Sequence, residues 1–184
     1  YSQIFSECRM LTSAGPVGSG CSYEFVWTTA IPTWAFDSCS YLTSITLPES
    51  ITSIGTQAFR ANRALTSLTI PASVTTMGLE VFSGCTGLTT AGPVGSGCNL
   101  IYCWDEELPA KAFSGGTNLV SVRIHDGITS IGEDAFADCK NLAEVYFDGS
   151  QAQLNALIES GVGSGNTFFT SAAIHPAYIS VDTL

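Results

Sequence analysis

Four of the seven cysteines, Cys8, Cys39, Cys85 and Cys139, each stand three residues after a phenylalanine. Thiols can act as nucleophiles, metal ligands or disulfide partners, and each use makes its own demand on spacing. No Cys-x-x-Cys pair occurs, so the ligand spacing of a zinc site is missing. Equivalent positions a full repeat apart do not pair easily, since a disulfide needs Cα atoms within roughly 7 Å. The expectation is a column of small buried thiols, with Asn62 and Gly116 filling the same slot elsewhere. Cys98 and Cys103, five apart, could instead close a loop disulfide, whereas Cys21 matches Cys98 but has Val26 where Cys103 would stand. His125 and His175 are the only histidines, and no Gly-x-Ser-x-Gly elbow accompanies them. The two Ala-Gly-Pro-Val-Gly-Ser-Gly segments lack the Lys-Ser/Thr ending of a phosphate loop and read as turns. Asp105, Glu106 and Glu107 make the densest acidic run, without the oxygen spacing of a calcium loop, and read as a solvated edge. The chain is therefore expected to carry no catalytic residue, metal or cofactor.

The elements that place these residues repeat. Ala-Phe, or a close stand-in, recurs with Phe at positions 5, 36, 59, 82, 113 and 136, in steps of 31, 23, 23, 31 and 23. The stretch from Phe5 to Cys21 parallels that from Phe82 to Cys98 at an offset of 77, so one long and two short units form a higher-order repeat. Within the second unit, Phe36 is followed by Cys39, Leu42, Ile45, Leu47, Ile51, Ile54 and Gly55, and the third and fifth units keep this register. The alternation of Ile45 and Leu47 predicts a short strand with one buried face, ended by Pro48. Ile51 to Ile54 reads as a second extended piece, with Gly55 suited to a turn of positive φ. Thr56 to Phe59 fits one helical or 3₁₀ turn that drives Phe into the core. No unit can bury its apolar face alone, so the units must stack into a solenoid.

The run from Ala35 to Gly55 resembles the BspA-like leucine-rich repeat. The resemblance implies an α/β solenoid: a parallel sheet on one face, short helical or 3₁₀ turns on the other, and a C-terminal cap. Residues 1–148 form the solenoid, in units near 5–35, 36–58, 59–81, 82–112, 113–135 and 136–148, and residues 149–184 the capping segment. Ser150 to Gln153 has capping-box spacing before Leu154, Leu157 and Ile158, and Ala172 to His175 reads as a last strand. The resemblance further implies a bacterial protein, extracellular on the cell surface or secreted, that adheres to a host or microbial surface protein or glycan.

Composition narrows the partners. A net charge of -10 and six scattered Lys and Arg leave no basic stripe for nucleic acid. No apolar run approaches the ~20 residues that span a bilayer, so no membrane insertion is expected. The first residues lack the charged start and apolar stretch of a signal peptide, and the pattern is already under way there, so the chain reads as a processed or truncated piece. As that fragment it is expected to be a monomer. Two surfaces are candidates for contact. The eight-residue insertions carry Tyr23, Phe25 and Trp27 in one case and Tyr102 and Trp104 in the other. These rings either form a platform for sugars or partner side chains, or pack the insert onto the solenoid. The outward strand positions carry Ser44, Thr46, Ser67, Thr69, Ser121, Arg123 and Tyr146, a polar face that could hydrogen-bond a partner or simply be solvated. The alternative to a binding module is a structural spacer in a larger surface protein.

Overall fold

The computed structural model describes residues 5, 7, 8, 10–93, 98, 100–102 and 106–176. The chain winds in stacked coils with two strand flanks and a turn flank. The first coil holds β1 (Ser13–Pro16), β2 (Tyr23–Phe25) and β3 (Ala30–Ile31). The short second and third coils hold β4 (Ser44–Ile45) with β5 (Ser53–Ile54), then β6 (Leu68–Thr69) with β7 (Thr76–Met77). The long fourth coil holds β8 (Thr90–Pro93), β9 (Leu100–Tyr102) and β10 (Glu106–Leu108), and the fifth β11 (Ser121–Ile124) and β12 (Ile128–Ile131). After β13 (Glu144–Phe147) come α1 (Gln151–Ala156), one π turn (Leu157–Gly161), α2 (Thr167–Ser171) and β14 (Ala173–Pro176). The N-cap Ser150 and Gln153 form both hydrogen bonds of the capping box.

All strand pairing is parallel, and equivalent positions of successive coils lie side by side. The front flank carries β2-β1-β4 and β6-β9-β8-β11-β13-β14, while the second flank carries β3-β5-β7 and β10-β12. Leu42, Ile45, Leu47, Ile51 and Ile54 point inward and are buried, as the alternation predicts. Each insertion turns back within nine residues: Ala14 pairs with Tyr23, and Ala91 with Leu100. Each return thus adds a strand to the front flank, and β9 lies between β6 and β8. The repeated Ala-Gly-Pro-Val-Gly-Ser-Gly motif follows from this return. Ala14 faces the core, while a Cβ at Gly15 would lie 2.6 Å from Ser19 Oγ, because the returning loop crosses over it. Gly18 and Gly20 take φ of 86° and 72° in that loop.

The turn flank is tighter than a helical turn and differs from the sequence expectation. Residues two before and two after each stacked Phe from Phe36 to Phe136 sit in the left-handed region: Trp34 and Ser38 around Phe36, Gln57 and Ala61 around Phe59, Asp134 and Asp138 around Phe136. This backbone aims N–H groups at the following coil. Trp34, Phe36 and Ser38 donate to the carbonyls of Thr56, Ala58 and Arg60, and the pattern continues coil by coil at 2.7–3.2 Å. The phenylalanine rings stack behind it, Phe5, Phe36, Phe59, Phe82, Phe113 and Phe136, with centroids 5.5–6.0 Å apart.

Gly55 departs from its expected role too. It is not among the residues of positive φ; a Cβ there would lie 2.4 Å from the backbone nitrogen of Thr33. Close approach of the neighbouring coil, not turn geometry, demands glycine at this position and at Gly78 and Gly132.

The C-terminal segment continues both patterns with different chemistry. Phe169 of α2 stacks on Phe136 at 5.0 Å as a seventh ring. Ser164 offers its carbonyl to Asp134 N–H at 2.8 Å. Asn166 offers a side-chain oxygen to Phe136 N–H at 2.9 Å, standing in for the backbone carbonyl of a further coil. Its Nδ2 donates to the carbonyls of Gly132 and Gly163, both at 2.9 Å. Asn166 is buried, so Asn166→Ala strands Phe136 N–H and Gly163 O away from water, while Gly132 O keeps Ala135 N–H at 3.3 Å. The expected cost is about 3 kcal/mol in urea unfolding, with Asn166→Gln as a comparison of equal chemistry and wrong length.

Candidate functional site

The front flank presents two outward rows. The strand register brings Ser13 into line with Ser44, and Thr90, Ser121, Glu144 and Ala173 into line with one another. Arg123, Tyr146 and His175 form the second row at the C-terminal end. Each member of this row is held by a neighbour. Arg123 pairs with Asp148 at 2.7 Å, and this carboxylate pushes the guanidinium pKa further up. His175 Nε2 hydrogen-bonds the Glu144 carboxylate. The Tyr146 and His175 rings stack with centroids 5.1 Å apart and planes 22° apart. Tyr146 remains 42% exposed. A cation, a phenol and an imidazole thus stand in one row on three paired strands. The arrangement can stack on a flat group and exchange hydrogen bonds with hydroxyls or carboxylates.

Of the remaining strand candidates, only Ser121 shares a strand with this row, and β6 is separated from β11 by β9 and β8. Ser44, Thr46, Ser67 and Thr69 are exposed, and Ser121 is half-buried. The first insertion turns its rings inward. Phe25 is 3% exposed and stacks on Trp27 at 4.9 Å; Trp27 is half-buried and meets Phe36 at 5.6 Å. Tyr23 is 37% exposed and lies 4.2 Å from Phe5. Phe25 therefore offers no surface to a partner. In the second insertion, Tyr102 pairs in register with Pro93. Its side chain, Cys103 and Trp104 lie outside the described residues, as does a Cys98–Cys103 bond.

Reasoning from sequence passed over a concavity on the turn flank. It encloses about 380 Å³ and is lined by Glu7, Ser38, Ser40, Tyr41, Ala61 and Arg63. Tyr41 is 61% exposed. A signal was present: the same register slot holds Met10, Ala64, Gly87, Asn118 and Asn141 in the other units, so the aromatic is out of pattern.

The buried column of cysteines is wired to the backbone. Cys39, Cys85 and Cys139 donate Sγ–H to the carbonyls of Phe5, Phe59 and Phe113, at 2.9, 3.0 and 3.2 Å. Asn62, in the same slot, donates Nδ2 to Phe36 and Phe59 carbonyls, leaving its buried Oδ1 without a donor. Burial pushes the thiols of Cys39, Cys85 and Cys139 up to about 12, so none is a ready nucleophile. Among the described residues no three His, Cys, Asp or Glu side chains cluster to hold a metal. No helix among them is long and apolar enough to cross a membrane.

Comparison with known proteins fits this geometry. The model of the BspA type leucine rich repeat region matches in six copies, over residues 26–93 and 106–158. The chain belongs to the BspA-type leucine-rich repeat family. The gap in the match falls on the second nine-residue return, and the last copy runs into α1. No curated protein sequence matches this BspA-type chain. Among solved structures, it is similar to a leucine-rich repeat protein from Eubacterium ventriosum, at 26% identity and TM-score 0.55, covering 73% of this chain and 32% of that one. The pneumococcal vaccine antigen PcpA gives a TM-score of 0.67 at 21% identity over 97% of this chain and 38% of its own. The leucine-rich repeat protein of T. pallidum gives 0.56 at 22% identity over 87% of this chain and 75% of its own. The last two likenesses concern the fold alone. The BspA-type chain spans about a third of the Eubacterium ventriosum protein's length.

Proposed function

We propose that this chain is an extracellular recognition or adhesion module of a bacterial surface protein, binding a host or microbial protein or glycan through its front flank. The observation that carries the reading is the row of Arg123, Tyr146 and His175, each fixed by a neighbour and each facing solvent. Fixing these side chains before binding lowers the entropy lost on contact. The Ser and Thr rows beside it supply hydroxyls without charge, which suits a neutral glycan or a polypeptide backbone. Tyr23, Trp27, Tyr102 and Trp104 extend the contact where the insertions reach the surface, while residues 149–184 act as the terminal cap.

One observation favours the spacer reading. Phe25 and Trp27 pack against each other and Trp27 against Phe36, and in this reading the first insertion serves stacking instead of contact. The two readings separate in a binding screen of the monomeric chain against host matrix proteins and a glycan array. A ligand whose affinity drops at least about tenfold in Arg123→Ala and in Tyr146→Ala, with Tm unchanged, supports recognition, since one contact of about 1.4 kcal/mol is a factor of ten. A blank on both panels moves the weight to the spacer.

A further inference from the structure

Slots a full repeat apart in sequence are the nearest neighbours in space. The slot three residues after each stacked phenylalanine holds, in chain order, Cys8, Cys39, Asn62, Cys85, Gly116 and Cys139. Only Cys8 and Cys39 occupy consecutive coils. Phe5 N–H donates to Ala35 O at 3.1 Å and Glu7 N–H to Asp37 O at 2.8 Å, so these coils lie in register around the slot. Coils paired in this way are one strand spacing apart, about 4.8 Å. That falls within the Cα separation of disulfides, roughly 4.4–6.8 Å. Cys39 Sγ–H and Cys8 N–H both donate to Phe5 O, at 2.9 and 3.0 Å, which brings the two residues to one acceptor. Both are free thiols in the structure, as the sequence expectation has it, yet these two are placed where a bond could form.

We propose that Cys8 and Cys39 are a cross-linking site, joined into an inter-coil disulfide by exchange with a low-molecular-weight disulfide. Cys8 is half-buried and can meet the oxidant, whereas Cys39 is fully buried beneath it. The Cys8 thiolate attacks one sulfur of the small disulfide and releases a first thiol. Cys39 then loses its proton to solvent, and its sulfur displaces the second small thiol from Cys8. Two protein thiols are oxidised, one small disulfide is reduced, and two small thiols leave. Phe5 O, which loses the Cys39 Sγ–H, keeps the Cys8 N–H at 3.0 Å. Burial of Cys39 slows the second displacement in the closed fold, so the bond forms faster as pH rises. The inference rests on the stacking of the coils and is independent of the ligand reading.

The test treats the whole reduced chain with oxidised glutathione under native conditions, followed by intact mass and peptide mapping. The expected product has lost two hydrogens at a Cys8–Cys39 peptide pair, while Cys85 and Cys139 stay reduced. Its Tm should rise by about 5 °C or more, because a long loop is closed. Cys8→Ser should abolish the product. In that background Asn62→Cys sets three consecutive slots with thiols and removes the undonated Oδ1. A disulfide from the introduced thiol to either Cys39 or Cys85 is then expected. A glutathione adduct stalled on Cys8, or failure of both the native pair and the Asn62→Cys variant to cross-link, overturns the proposal.

Discussion

Gly78→Ala is expected to remove at least about 4 kcal/mol from the solenoid, while Gly84→Ala, in the next turn, costs only about 1 kcal/mol. A Cβ at Gly78 would lie 2.3 Å from Thr56 N and 2.5 Å from Thr56 Cα. Both are backbone atoms, so no rotamer relieves the contact. The coils would have to part, and the bonds from Gly78 N–H to Ile54 O at 2.8 Å and Gln57 N–H to Leu79 O at 2.9 Å would go with them. Gly84 has the left-handed φ of 70°, yet its nearest neighbour to a new Cβ is 3.5 Å away. Ala61 already occupies the equivalent slot at φ 57°. Urea titration of both variants decides the matter, and comparable losses would contradict the account.

Alkaline pH should unfold the reduced chain well before lysine deprotonation dominates. An unfolded thiol titrates near 9, whereas Cys39, Cys85 and Cys139 are held up to about 12. Below pH 9 both states keep their protons and stability is unaffected by these groups. Between 9 and 12 the unfolded chain binds fewer protons, so stability falls as pH rises. Each thiol contributes about 1.4 kcal/mol per pH unit, hence about 4 kcal/mol for the three at pH 10. The check is the urea midpoint from pH 8 to 11 in reducing buffer. Cys85→Ala should flatten the fall by about a third, and an unchanged slope would mean the thiol is solvated in the fold.

Much of this organisation was legible because stacking imposes strict periodicity on inward residues. Leu42, Ile45, Ile51 and Phe36 recur in register since each must fill the same place in the core. The outward Ser, Thr, Arg and Tyr positions followed from alternation alone. The left-handed turn backbone was not legible. Its positions hold Trp34, Ser38, Gln57, Ala61 and Asp138 as well as Gly84 and Gly115, so no residue type marks them. Inter-coil hydrogen bonds impose that conformation against local preference. Phe169 escaped notice because the spacing from Phe136 breaks the period, and Asn166 because a side chain there does the work of backbone. His175 joined the candidate row only through the pairing of β14 with β13.

The forward-pointing N–H groups of the turn flank also have an electrical consequence. Peptide 35–36 accepts from Phe5 and donates to Ala58; peptide 58–59 accepts from Phe36 and donates to Val81; and so on to Phe136. Peptide dipoles of about 3.5 D are thereby aligned head to tail along the solenoid axis. Their sense is opposite to that of an α-helix, with the positive pole toward the C-terminal end. Each added coil enters a field that already favours its orientation, which makes growth in the same register self-reinforcing. The acceptors of Ser164 and Asn166 meet that pole beyond the Phe136 turn.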